Sequence, residues 1–115
     1  MERPSLVCLK ESLESRYKLI RTVYKSSASP TTIELYEDSL TDSPVILKKL
    51  NKSLIYSHYQ LESAKREIQI HSSLHHPNII ELFDHAETET EFLLLMEYIP
   101  RHDYFTEKLE IVIFT

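Results

Sequence analysis

The 115-residue chain contains no glycine, where average usage of about 7% would give roughly eight. Any phosphate cradle or tight turn that depends on glycine's freedom at positive φ must therefore be built differently here. Tryptophan is also absent, and Cys8 is the single cysteine, so no intramolecular disulfide can form, which fits a reducing compartment. No apolar run approaches the ~20 residues of a membrane span, and the N-terminus lacks a basic-then-apolar signal pattern. The net charge is -5 and the cations are scattered, without the basic stripe that nucleic-acid binding needs. These features give the expectation of a cytoplasmic protein without a membrane or nucleic-acid partner.

What the chain does contain is ordinary for a globular domain: 42% hydrophobic and 27% charged residues. A length of 115 residues allows one domain with a modest core. Residues 1–16 carry Leu6, Val7, Leu9 and Leu13 among polar residues, which fits either a short amphipathic helix opening near Ser5 or an extended lead-in. Alternating or apolar runs at residues 17–23, 31–36 and 45–50 predict three strands, with Tyr17, Leu19 and Val23 on one face of the first. The polar links at residues 24–30 and 37–44 predict turns, and so an antiparallel meander.

Residues 51–57 read as a connector. Leu61, Ala64, Ile68 and His71, with Ile70 and Leu74 beside them, then recur at helical spacing, and Pro77 predicts an end by about His75. Two more strands are expected at residues 79–83 and 91–97, linked by an acidic turn. The sum is an α+β fold, a five-stranded antiparallel sheet with one main helix after the third strand. Residues 100–115 read as a linker, a helix start and an apolar end, Ile111-Val112-Ile113-Phe114, that suggests a continuation or a partner surface.

This order of elements resembles the N-terminal lobe of the eukaryotic protein kinase family over residues 17–105. The helix and following loop look most like Aurora and Polo-type Ser/Thr kinases, through Glu67, Ile68, Ile70, His71, Leu74, His76 and Ile79. The resemblance divides the chain into an N-terminal extension (1–16), a kinase-like lobe (17–99) and a hinge exit with a truncated tail (100–115). Val45-Ile46-Leu47-Lys48 stands at the family's V-A-I-K, which implies that Lys48 binds the ATP phosphates and that Glu67 holds it. Met96 is implied as the gatekeeper, the backbones of Glu97 and Ile99 as the hinge contacts to adenine, and Asp103 as the residue near the ribose.

Departures from the family pattern are as informative. Ile46 replaces a small alanine, and Tyr24, Ser26 and Ser29 stand where the phosphate loop has its three glycines. Neither H-R-D nor D-F-G occurs in the 115 residues, so the chain has no general base and no Mg²⁺ ligands. The expected function is an ATP-binding Ser/Thr kinase fragment that does not phosphorylate alone, acting with a kinase C-lobe or a protein partner. The alternative is a non-catalytic, pseudokinase-like scaffolding module. His71 and His75 share the i, i+4 spacing of a helical zinc pair, but no H-E-x-x-H and no further cysteine completes a site.

Overall fold

The computed structural model describes residues 4–6 and 16–100. Most of the possible helix within residues 1–16, the helix start and apolar end of residues 104–115, and Asp103 lie outside that range. Five strands, β1 (Tyr17–Lys25), β2 (Thr31–Asp38), β3 (Ser43–Asn51), β4 (Leu82–Glu87) and β5 (Glu91–Glu97), form one antiparallel sheet in the order β1-β2-β3-β5-β4. The helix α1 (His58–Ser73) follows β3 after a single 3-10 turn at Lys52–Leu54. The expected α+β arrangement is therefore the observed one.

The central strands β3 and β5 are buried on both faces, which explains why they read as continuous apolar runs rather than as alternations. Side chains alternate along a strand, so Ile46, Leu94 and Met96 face α1 and join Ile33, Leu35, Ile68, Ile80, Leu82 and Phe92 in one core. Val45, Leu47, Leu93 and Leu95 point the other way and pack with Tyr17 and Leu6. Ile33, Leu47 and Met96 have no exposed surface at all.

Helix α1 starts where the sequence permits. Ser57 caps it, its hydroxyl accepting the Gln60 N–H at 3.1 Å, while the Gln60 side chain accepts the Tyr56 N–H at 3.0 Å. Only Ile68 of the helix is fully buried, with Leu61 and Ala64 packed partly against the core. Ile70 and Leu74, read as part of the buried stripe, are 52% and 40% exposed. The contact stripe is narrow, and a cleft remains between the later turns of α1 and the sheet.

Two strands differ from their expected positions. β1 runs on through Tyr24 and Lys25, and irregularities between Leu19 and Arg21 and between Thr22 and Tyr24 break its alternation. Leu19, expected on the buried face with Tyr17, is consequently 50% exposed. β4 begins at Leu82 rather than at residue 79, because the preceding turn is tied elsewhere: the Ile79 N–H donates to the His76 carbonyl at 3.0 Å and the Ile80 carbonyl bonds His71. Its later residues Asp84, His85 and Glu87 pair with β5 although they are polar, as suits an edge strand. Among the described residues only Asp42 has positive φ, at 56°, in the turn between β2 and β3.

Candidate functional site

Lys48 lies in the middle of β3, opposite Ile33 on one side and Leu94 on the other. The alternation that buries Ile46 toward α1 sends the Lys48 side chain the same way, where it is only 5% exposed. Glu67 of α1 reaches the same place. The two residues line one cleft of about 300 Å³, whose remaining walls are apolar: Leu50, Ala64, Ile68, Ile70, Leu74, Ile79 and Leu94, with His71. Burial pulls the Lys48 pKa down from 10.5 to about 8, and the Glu67 carboxylate opposes that pull. An ammonium kept in an apolar wall beside a carboxylate is suited to meet an anion that enters the cleft.

One helical turn beyond Glu67, His71 bonds the Ile80 carbonyl through Nε2 at 2.6 Å, which requires that nitrogen to carry the proton. The bond ties the end of α1 to the segment leading into β4 and closes the floor of the cleft. His75 instead turns its Nδ1 to Glu81 at 2.8 Å. The two rings of the i, i+4 pair therefore serve different partners.

The remaining expected site residues sit away from this cleft. Met96 is fully buried in the α1-facing core, beside Ile46 on β3 and Leu82 on β4. Ile99 is half-buried and packs against the same core. Glu97 is joined to Glu81 by two hydrogen bonds: its N–H donates to the Glu81 carbonyl at 2.9 Å, and its Oε1 accepts the Glu81 N–H at 3.1 Å. The N–H of Glu97 is thus committed within the protein. Asp103 lies outside the described residues.

The turn between β1 and β2, where the phosphate loop would be, spends three of its N–H donors internally. The Ala28 N–H donates to the Ser26 hydroxyl and the Thr31 N–H to the Ser29 hydroxyl, both at 3.2 Å, and the Ser29 N–H donates to the Ser26 carbonyl at 3.3 Å. Serine side chains therefore occupy the backbone donors that a glycine loop offers to phosphate. The donor set fits a phosphate at Lys48 and does not fit a standard cradle at this turn.

Sequence reasoning found Lys48 and Glu67 but missed Leu50, Ile70, Leu74 and Ile79 as cleft walls. Their signal was present for two of them: Ile70 near the end of α1 and Leu74 at its C-cap are apolar residues spaced i, i+4.

The architecture agrees with comparison to known proteins. The protein kinase domain family model matches residues 31–114. The chain belongs to the protein kinase domain family. The match begins at β2 and continues past the residue-100 boundary suggested by the sequence. Among similar proteins, CBL-interacting protein kinase 32 of Oryza sativa subsp. japonica is 27% identical over 90 residues, 78% of this chain and 20% of that protein. NUAK family SNF1-like kinase 1 of Mus musculus is 28% identical over 102 residues, 86% of this chain and 15% of that protein. NUAK family SNF1-like kinase 2 of Homo sapiens is 30% identical over 105 residues, 89% of this chain and 16% of that protein. This kinase-family chain thus spans about a fifth or less of the length of these Ser/Thr kinase relatives.

Proposed function

We propose that this chain is the nucleotide-binding half of a Ser/Thr protein kinase domain, with ATP as its ligand. The observation that carries the reading is Lys48, 5% exposed in an apolar wall and facing Glu67 across the cleft. Lys48 would meet the phosphates while Glu67 restricts the rotamers of its ammonium. Met96 would stand behind the adenine as gatekeeper, the Glu97 carbonyl and Ile99 N–H would read the adenine edge, and Asp103 would approach the ribose. Mg²⁺ would be held by groups beyond these residues, since H-R-D and D-F-G are absent from the sequence. Phosphoryl transfer would then require a C-lobe, and the chain alone would be inactive.

The finer assignments are part of the same proposal: an extension at residues 1–16, the lobe at 17–99, the hinge exit and tail at 100–115, and a cytoplasmic location. No helix among the described residues is long and apolar enough to cross a membrane. The likeness to Aurora and Polo-type kinases rests on seven residues of the helix and loop, whereas the relatives named above are of the CBL-interacting and NUAK types.

The test is a thermal-shift titration of the chain with ATP, with and without Mg²⁺. Ligand at 100-fold above its Kd adds about 2.7 kcal/mol of stability. A rise in Tm that disappears in Lys48→Met is expected, and no shift at millimolar ATP would overturn the reading. One observation favours a second reading, a pseudokinase-like scaffold: in the turn at residues 26–31 the Ala28 and Thr31 N–H groups are committed to serine hydroxyls. A chain that binds a partner protein equally well with Lys48→Met, and that ignores ATP, would be that scaffold.

A further inference from the structure

The sheet face turned away from α1 is covered by residues from the start of the chain. Leu6 is 5% exposed and packs with Tyr17, Val45, Leu47, Leu93 and Leu95. The Tyr17 hydroxyl donates to the Ser5 carbonyl and accepts the Ser5 N–H, both at 2.9 Å. The Leu6 N–H donates to Asp84 Oδ2 at 2.6 Å, and the Ser5 hydroxyl lies 3.5 Å from the same oxygen. Asp84 is aimed there by the irregularity in β4 between Leu82 and Asp84, and its Oδ1 accepts the His85 N–H at 2.9 Å.

These four contacts are made by side chains of Tyr17 and Asp84, so the segment can leave the sheet without breaking a strand ladder. One carboxylate oxygen serves both residues of the segment. We propose that residues 4–6 are a detachable strap latched on Asp84, and that negative charge on the Ser5 oxygen, of the kind a phosphoryl group brings, releases it. A phosphoserine carries a charge of about −2 at neutral pH. It would replace the hydroxyl donor that now faces Asp84 with a group the carboxylate repels. Arg16, the cation stacked on Tyr17 at 5.2 Å, is held by Asp38 through bonds of 2.8 and 3.0 Å. In the modification itself, a separate phosphotransferase would move the terminal phosphoryl of a nucleoside triphosphate to Ser5 Oγ. The new O–P bond replaces the one to the departing nucleoside diphosphate, and the hydroxyl proton passes to solvent. Release uncovers Tyr17, Val45, Leu47, Leu93 and Leu95.

The experiment is amide hydrogen exchange by NMR on the full chain, reading Leu6 for the strap and Leu47 and Leu95 for the sheet. Wild type and Ser5→Ala should protect Leu6 to within twofold of each other. Ser5→Glu, or a chain made with phosphoserine at position 5, should lose at least tenfold of that protection while Leu47 and Leu95 keep theirs. Asp84→Asn keeps an acceptor for the Leu6 N–H without the charge, so Ser5→Glu in that background should leave Leu6 protected. Unchanged Leu6 protection in Ser5→Glu, equal loss in the Asp84→Asn background, or parallel loss at Leu47 and Leu95 would each overturn the proposal.

Discussion

Glu81 and Glu97 hold each other through reciprocal hydrogen bonds, backbone to backbone at 2.9 Å and backbone to carboxylate at 3.1 Å. The second bond depends on the Glu97 side chain, at the point where β5 gives way to the linker. Glu97→Ala removes the acceptor of a half-buried N–H and should cost about 1 kcal/mol. Glu97→Gln retains an oxygen in place and should recover most of that loss. Denaturant midpoints of the two variants check this, and equal losses would show that charge rather than the hydrogen bond matters there.

The buried ammonium of Lys48 makes stability depend on alkaline pH. Its folded pKa of about 8 lies below the ordinary 10.5, so between those values the unfolded chain binds the proton and the folded chain does not. Unfolding then takes up a proton, and stability rises with pH across that window. Burial raises the phenol pKa values of Tyr17 and Tyr36 above 10.0, so their contribution falls away above pH 10. Lys49, lowered by burial but raised more by its bond and charge contact with Glu34, also loses its contribution as pH climbs through its raised pKa. Stability should therefore peak near pH 10. In Lys48→Met the rise between about pH 8 and 10 should vanish, with a gain at pH 7 on the order of 3 kcal/mol from the offset at about 1.4 kcal/mol per pH unit.

The Arg16–Asp38 ion pair also makes stability rise with pH, but in the acid range. Asp38 is fully buried and takes two bonds from Arg16, at 2.8 and 3.0 Å, and one from the Leu40 N–H at 3.0 Å. Burial alone would raise its pKa, but these bonds lower it below the ordinary 3.8. Its stabilising contribution is therefore present above that value and lost as pH falls through the folded pKa. Asp38→Ala, which leaves the Arg16 guanidinium without this partner, should cost about 3 kcal/mol. Urea denaturation at pH 7 measures it, and ATP-induced shifts in Tm should not change.

The serine turn between β1 and β2 can be returned to glycine. Ser26→Gly with Ser29→Gly deletes the hydroxyls that accept the Ala28 and Thr31 N–H groups. Loss of both bonds and added backbone freedom should lower stability by about 1–2 kcal/mol. The same change frees the Ala28 and Thr31 N–H groups, so under the proposed nucleotide binding the ATP-induced shift should grow. Calorimetric titration with ATP would show a weaker or unchanged affinity if the turn has no part in binding.

The helix and the meander were legible because each depends on local pattern, whereas the family resemblance alone singled out Lys48 and Glu67, which line one cleft. Pro77 sets the end of α1 to within two residues of the observed one. β4 was legible only in part, since its outer residues Asp84 and His85 are polar and are placed by pairing with β5, which a local pattern does not carry. The face of β1 was hidden by its two irregularities. The docking of Leu6 was hidden most deeply. It joins residues 78 positions apart through Asp84 and depends on a tyrosine hydroxyl that no periodicity marks.

Asp42, at φ 56°, is the single left-handed position among the described residues. The other turns are built from conformations that residues with a Cβ adopt without strain. A chain without glycine samples a narrower set of backbone conformations before it folds, and each glycine avoided at a compatible site is worth about 0.4–1 kcal/mol through that unfolded ensemble. For a small lobe with a modest core, part of what keeps it folded is therefore absent from every contact in the native state. It lies in the restricted disorder of the chain from which folding begins.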